Sequence, residues 1–201
     1  MKTKQELYEF VSNVGFDCNH FNPDSKLKNG GINLQQHIDE YVDMLDFLIN
    51  LDTPIKSFLE IGAASGGNTH VLSNIFNLTK VAIVDDNSHP KFAMRKETLK
   101  NIPHNEFVGN SQGIEAKEFI SKLNTKFDFV YIDADHSFEG VTKDFNNFKD
   151  FVKVGGHLGF HDAQIKGLPE FFKEVLSKDD SFEMVFDVFH RFGNRIYKKV
   201  K

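Results

Sequence analysis

From Ser57 onward, short apolar runs alternate with stretches of helical periodicity. SFLEI, KVAIVD, NEFVG, FDFVYID and HLGFHD read as five successive strands. Near-continuous apolar runs separated by helices predict a layered α/β domain on a mostly parallel sheet, with helices on both faces. Between the fourth and fifth runs, Phe138, Val141, Phe145, Phe148 and Val152 recur at three- and four-residue spacing. They predict a helix over 138–152 whose aromatic stripe is core. A further helix is expected near 168–176. The last runs, FEMVFDVF and NRIYKK, are joined by a turn-prone stretch around His190 to Asn194. So short a connection makes them antiparallel, because a parallel crossover needs about a dozen residues. Upstream, Ile38, Tyr41, Val42, Leu45, Leu48 and Ile49 form an apolar stripe that predicts a helix over 34–50 packed on the domain. The chain is polar and turn-rich from Gly15 to Asn33, and 33 residues are too few for a second core. Residues 1–33 are therefore expected to form a cap or lid, and 34–201 the main domain.

Composition narrows the function more than the fold. With 201 residues, 40% hydrophobic and 26% charged, the chain has the make-up of one globular domain. A formal charge of −5 offers no basic face to a phosphate backbone, which argues against nucleic acid and for a small-molecule substrate. Cys18 is the only cysteine, so no internal disulfide forms and a reducing compartment is expected. Its neighbour His20 adds one ligand, too few for a closed metal site. MKTKQELYEF lacks the apolar centre of a signal peptide, and no run approaches the roughly 20 apolar residues of a membrane span. The expectation is a cytoplasmic protein with no membrane partner. Whether it forms a homo-oligomer is open.

Candidate chemistry begins at Phe58–His70, FLEIGAASGGNTH, where an apolar run closes on an acid and a glycine-rich turn opens into a helix. Gly62, Gly66 and Gly67 let backbone N–H groups and a helix N-terminus approach a charged ligand. The spacing Glu60-x-Gly62-x-x-x-Gly66 differs from the dinucleotide fingerprint G-x-G-x-x-G. It favours the acidic loop of S-adenosylmethionine enzymes, although a bare strand-to-helix turn can read the same way. Ligands of open α/β sheets lie beyond the carboxyl ends of the strands. Every such tip here is polar: Glu60, Asp85, Asn110-Ser111-Gln112, Asp133 and His161-Asp162.

With these motifs, the chain from Ser57 onward resembles class I S-adenosylmethionine-dependent methyltransferases, of Rossmann-like fold with a seven-stranded sheet ending in an antiparallel hairpin. The resemblance implies that the glycine turn, with Glu60, Gly62, Ala63, Ser65, Gly66 and Asn68, holds the methionine part of the cofactor. VAIVDD resembles the second motif, whose acid receives the ribose hydroxyls; Asp85 is the matching position and Asp86 its competitor. GNSQ resembles an adenine-binding turn, which brings in Asn110, Ser111 and Gln112. YIDADHSFEGVTKDF with VKVGGHLGFHDA is similar to the small-molecule O-methyltransferases of the macrocin O-methyltransferase and cephalosporin-hydroxylase-like group. Metal-dependent members of that group hold magnesium on acids matching Asp133 and Asp162. Here the flanking residues are His161 and Ala163, so magnesium, another divalent cation and no metal all stay open, with Asp133, His161 and Asp162 as the ligand set.

His136 lies three residues after Asp133, as does the base of some sugar O-methyltransferases, and an ordinary histidine pKa of about 6.5 suits that task. A cap for the following helix is the rival reading. Asp133 and His136 are the catalytic candidates, with Asp133 also beside the cofactor. The implied activity is methyl transfer from S-adenosylmethionine to a hydroxyl of a small molecule, such as a sugar or other polyol. N-methylation and a non-catalytic cofactor-binding protein are the alternatives.

Overall fold

The computed structural model describes residues 3–14 and 32–201. Its elements are α1 (Lys4–Val14), α2 (Ile38–Ile49), β1 (Ser57–Ile61), α3 (Gly67–Ile75), β2 (Lys80–Asp85), α4 (Arg95–Thr98), β3 (Asn105–Val108), α5 (Ile114–Lys122), β4 (Phe127–Ile132), α6 (Phe138–Phe148), β5 (Val152–His161), α7 (Leu168–Glu174), β6 (Phe182–Val188) and β7 (Asn194–Lys199). The sheet has seven strands in the order β3-β2-β1-β4-β5-β7-β6. The first five are parallel, and β7 runs antiparallel to both β5 and β6. This is the Rossmann-like arrangement with a C-terminal hairpin that the runs predict.

Two apolar layers cover the sheet. On one face α5, α6 and α7 bury Ala116, Ile120, Phe145, Phe148 and Phe171 against Leu59, Val84, Val130 and Phe160. On the other, α1 and α2 bury Leu7, Val11, Tyr41, Met44 and Leu48 against Phe58, Phe129 and Tyr131. The order places β1 and β4 side by side at the centre, where helices leave toward opposite faces. Their carboxyl ends open the crevice in which the site lies.

Several boundaries move for tertiary reasons. The helix expected over 138–152 stops at Phe148 and passes through a 3-10 turn, Lys149–Phe151, because Val152 already pairs with Phe127 in the sheet. The helix expected from residue 34 starts at Ile38, and residues 33–36 instead run as a strap along the crevice. Of residues 1–33, most of the Gly15–Asn33 stretch lies outside the described residues. Lys4–Val14 is a helix, with Leu7 and Val11 fully buried beside α2. The cap expected over 1–33 thus includes a helix, whose Leu7 and Val11 lie four residues apart on one face in ELYEFVSNV. Among the described residues, no helix is long and apolar enough to cross a membrane.

Candidate active site

The glycine loop is built by its neighbours. Gly62 has φ +83°, and a Cβ there would lie 2.1 Å from the Asp133 carbonyl oxygen, so only glycine lets the tips of β1 and β4 meet. At Gly67 a Cβ would lie 2.0 Å from the carbonyl oxygen of Asn33, which belongs to the strap. The Ser65 hydroxyl donates to that same carbonyl at 2.8 Å, so the strap is latched onto the loop at two points. Glu60 is buried and accepts from Asn68 Nδ2 at 2.8 Å and from the Thr69 hydroxyl, while Tyr41 donates to Asn68 Oδ1 at 2.6 Å. Burial pushes the Glu60 carboxyl up to about 7, against the pull of those two hydrogen bonds. Its visible task is to tie β1 to the start of α3.

Asp85 is a brace. Its Oδ2 accepts from the N–H groups of Ala63 at 2.8 Å and Ala64 at 2.9 Å, and its Oδ1 from Asn87 N at 2.8 Å. Arg95 Nη1 pairs with the same Oδ1 at 2.9 Å, both side chains being buried. A carboxylate has about four acceptor positions, and all four are used within the protein. Arg95 also bonds the Ala64 carbonyl at 2.9 Å and pairs through Nε with Glu106 at 2.8 Å, so it clamps the loop from behind. Asp86 is exposed at the cavity wall and accepts from Ser88 N at 2.8 Å.

The tips of β4 and β5 bring two aspartates and two histidines together. Asp133 Oδ1 lies 3.2 Å from His136 Nε2, and Asp133 Oδ2 lies 3.2 Å from His161 Nδ1. His136 Nδ1 is 3.2 Å from Asp162 Oδ2, and His161 Nδ1 is 3.7 Å from Asp162 Oδ1. Burial alone would lower both histidines, but the carboxylates win: His136 is raised, and His161 is pushed up to about 9. Burial raises Asp133, and the paired imidazoles overcome it, holding that carboxyl far below its usual range. Asp162 adopts the left-handed conformation at φ +52°, uncommon for a side-chain-bearing residue, which turns its carboxylate back toward His136. Ligand atoms of Asp133, His136 and Asp162 lie within 4.8 Å of one another, which suits a divalent cation. The ligand set read from sequence named His161; this clustering instead includes His136, with His161 packed beside Asp133.

All the expected site residues except Gly66 line one cavity of about 900 Å³. Gly66 faces Leu99 and Arg95 and serves as the left-handed N-cap of α3. Asn110, Ser111 and Gln112 form the far wall, where Gln112 Nε2 donates to Asp135 Oδ2 at 3.1 Å. Asp135 also accepts from Ser137 N at 2.9 Å, and the Ser137 hydroxyl caps α6 by accepting from Gly140 N. His136 is thus relieved of the capping role. The sequence reading missed Gln36, Arg95 and Phe192. Phe192 is carried in by the β6–β7 loop, where Glu40 Oε1 accepts from the N–H groups of His190 (2.7 Å), Arg191, Phe192 (3.0 Å) and Gly193 (3.1 Å). No local pattern announces these residues, because each acts through a partner distant in sequence.

A glycine-braced loop beside an acid–histidine cluster defines a class once it is set beside known proteins. The chain belongs to the methyltransferase-domain family, whose model matches residues 59–163. That family and this fold support S-adenosylmethionine-dependent methylation. An O-methyltransferase from Bacillus cereus, solved in complex with SAH, is similar over 99% of this chain and 92% of its own, at 13% identity and a TM-score of 0.63. An rRNA methylase from Streptococcus thermophilus shares the fold over 84% of this chain and 99% of its own, at 12% identity and a TM-score of 0.59. Uncharacterized protein R132 of Acanthamoeba polyphaga mimivirus is 25% identical over 118 residues, 54% of this chain and 52% of that protein. The chain thus spans about half the length of that curated relative.

Proposed function

We propose that the protein transfers a methyl group from S-adenosylmethionine to a hydroxyl of a small molecule. The observation that carries this reading is the Asp133–His136–Asp162 cluster on the wall of the same cavity as the glycine loop. The loop would take the methionine part, Asp86 the ribose hydroxyls and Asn110–Gln112 the adenine. Asp86 is preferred to Asp85 because Asp85 spends its acceptor positions on the loop and Arg95. Bringing sulfonium and hydroxyl into line within one pocket supplies the proximity on which a direct displacement depends. The similarity of YIDADHSFEG and GFHDA to the macrocin-like group supports a hydroxylated acceptor, such as a sugar or other polyol.

The donor set fits a divalent cation: two carboxylates and an imidazole, with Asp133 and Asp162 as hard oxygen ligands and His136 favouring a transition ion over magnesium. When bound, such an ion would acidify a coordinated hydroxyl. In the structure the imidazole of His136 lies between two carboxylates that raise its proton affinity against the effect of burial. A protonated ring must first lose its proton to solvent, as it would on binding a cation, before it can accept one from the acceptor hydroxyl. Asp133 and Asp162 orient the ring in either case. Net charge of −5 argues against a nucleic-acid acceptor despite the rRNA methylase among the structural neighbours.

Calorimetry with S-adenosylmethionine and S-adenosylhomocysteine, with and without magnesium or manganese, tests the cofactor half. A screen of hydroxylated metabolites with labelled S-adenosylmethionine tests the acceptor half. No cofactor binding would overturn the reading, and transfer only to amines would replace it by N-methylation.

A further inference from the structure

We infer that Gln36, on the strap, is a cofactor-binding residue whose amide oxygen accepts a hydrogen bond from the α-ammonium group of the bound sulfonium amino acid. The inference deepens the proposed function and rests on it. Gln36 lines the cavity and is almost wholly buried, at 3% exposure. Its Oε1 has no hydrogen-bond partner among the described residues. A buried amide oxygen without a partner is costly, so its place beside a ligand cavity points to a donor that arrives with the ligand.

Orientation of the amide follows from its neighbour. Nε2 points at Asp133 Oδ2 at a long 3.5 Å, and the reverse orientation would set the amide oxygen against a carboxylate. Oε1 is therefore the end of the amide left without a partner. The strap brings Gln36 to the cavity wall near the glycine loop, since Asn33, three residues earlier, is latched to Ser65 and lies against Gly67. The Asp133 main chain in turn packs on Gly62. Gln36 Oε1 is thus an acceptor left over beside a carboxylate whose Oδ2 already meets His161 Nδ1 at 3.2 Å. Beside that carboxylate a cationic ammonium is favoured over a neutral hydroxyl as the donor to Oε1. Asp133 Oδ1 faces the other way, toward His136, where the acceptor hydroxyl is proposed to sit.

The test compares two ligands that share the adenosine half. S-adenosylhomocysteine carries the α-ammonium, and 5′-methylthioadenosine lacks the amino-acid end. In calorimetry, Gln36→Met should weaken S-adenosylhomocysteine about 10- to 100-fold, the worth of a hydrogen bond to a charged group. Its affinity for 5′-methylthioadenosine should stay within about twofold of the wild type, which also shows that the fold is intact. Equal losses for both ligands would make Gln36 merely structural and overturn the inference. So would unchanged S-adenosylhomocysteine affinity, the result expected if Gln36 met the methyl acceptor. A wild type that bound neither ligand would overturn the proposed function itself, and the inference with it.

Discussion

Replacing Asp85 and Asp86 one at a time separates a brace from a ligand contact at the tip of β2. Asp85→Ala removes the acceptor of the Ala63, Ala64 and Asn87 N–H groups and strips the buried Arg95 guanidinium of one carboxylate. Breaking a buried pair from one side costs about 3 to 5 kcal/mol. Arg95 keeps Glu106 at 2.8 Å and the Ala64 carbonyl at 2.9 Å, which favours the lower end. For a domain of this size each kcal/mol moves Tm by about 2 to 4 °C, so a fall of about 6 to 20 °C is expected. Asp86 is exposed and has one backbone partner in Ser88, so Asp86→Ala should cost no more than about 1 kcal/mol. Its affinity for S-adenosylhomocysteine should fall about 10- to 100-fold if it holds the ribose. Thermal unfolding and calorimetry on both variants decide the matter. An Asp85→Ala protein with wild-type Tm and lost cofactor affinity would refute the assignment and return the ribose to Asp85.

Asp144 on α6 is fully buried, and burial pushes its carboxyl up to about 7 from an unfolded value near 3.8. A raised folded-state pKa favours the folded state fully below the unfolded value, and that contribution is lost as pH rises from about 4 to about 7. Asp144→Asn should flatten the denaturant-midpoint profile across that window and leave the variant the more stable protein at pH 8, by up to about 4 kcal/mol; a profile that kept its wild-type slope would refute it. Glu40 behaves oppositely: burial raises its carboxyl, but the N–H groups of Arg191, His190, Gly193 and Phe192 prevail and lower it. Its contribution is present above the unfolded value of about 4.5 and lost as pH falls through the lower folded value. Glu40→Gln should therefore cost about 2 to 4 kcal/mol at neutral pH, less in acid, and speed amide exchange at residues 190–193. Asp162→Asn should weaken manganese binding at least about 100-fold while leaving S-adenosylhomocysteine affinity within about threefold; calorimetry with each ligand alone reads both, and unaltered manganese affinity would remove Asp162 from the cation site.

What could be read along the chain is what repeats or clusters locally. Apolar runs of strand length, the three-and-four spacing of Phe138 to Phe148 and the short link before Asn194 specified a parallel sheet with a terminal hairpin, since burying such runs leaves few alternatives. The glycine loop and the polar strand tips were legible for the same reason: a ligand beyond the carboxyl ends of parallel strands requires its residues there. Helix ends were less legible, because Val152 is claimed by Phe127 across the sheet and no neighbour in sequence records that competition. The polar partnerships were not legible at all. Arg95 reaches Asp85 and Glu106, Glu40 gathers amides about 150 positions away, and Gln36 meets Asp133 across 97. A hydrogen bond has no periodicity, and a single buried glutamine or arginine reads in sequence like any exposed one. Only folding decides which polar side chains lose water together, and that loss of water makes a particular partner obligatory.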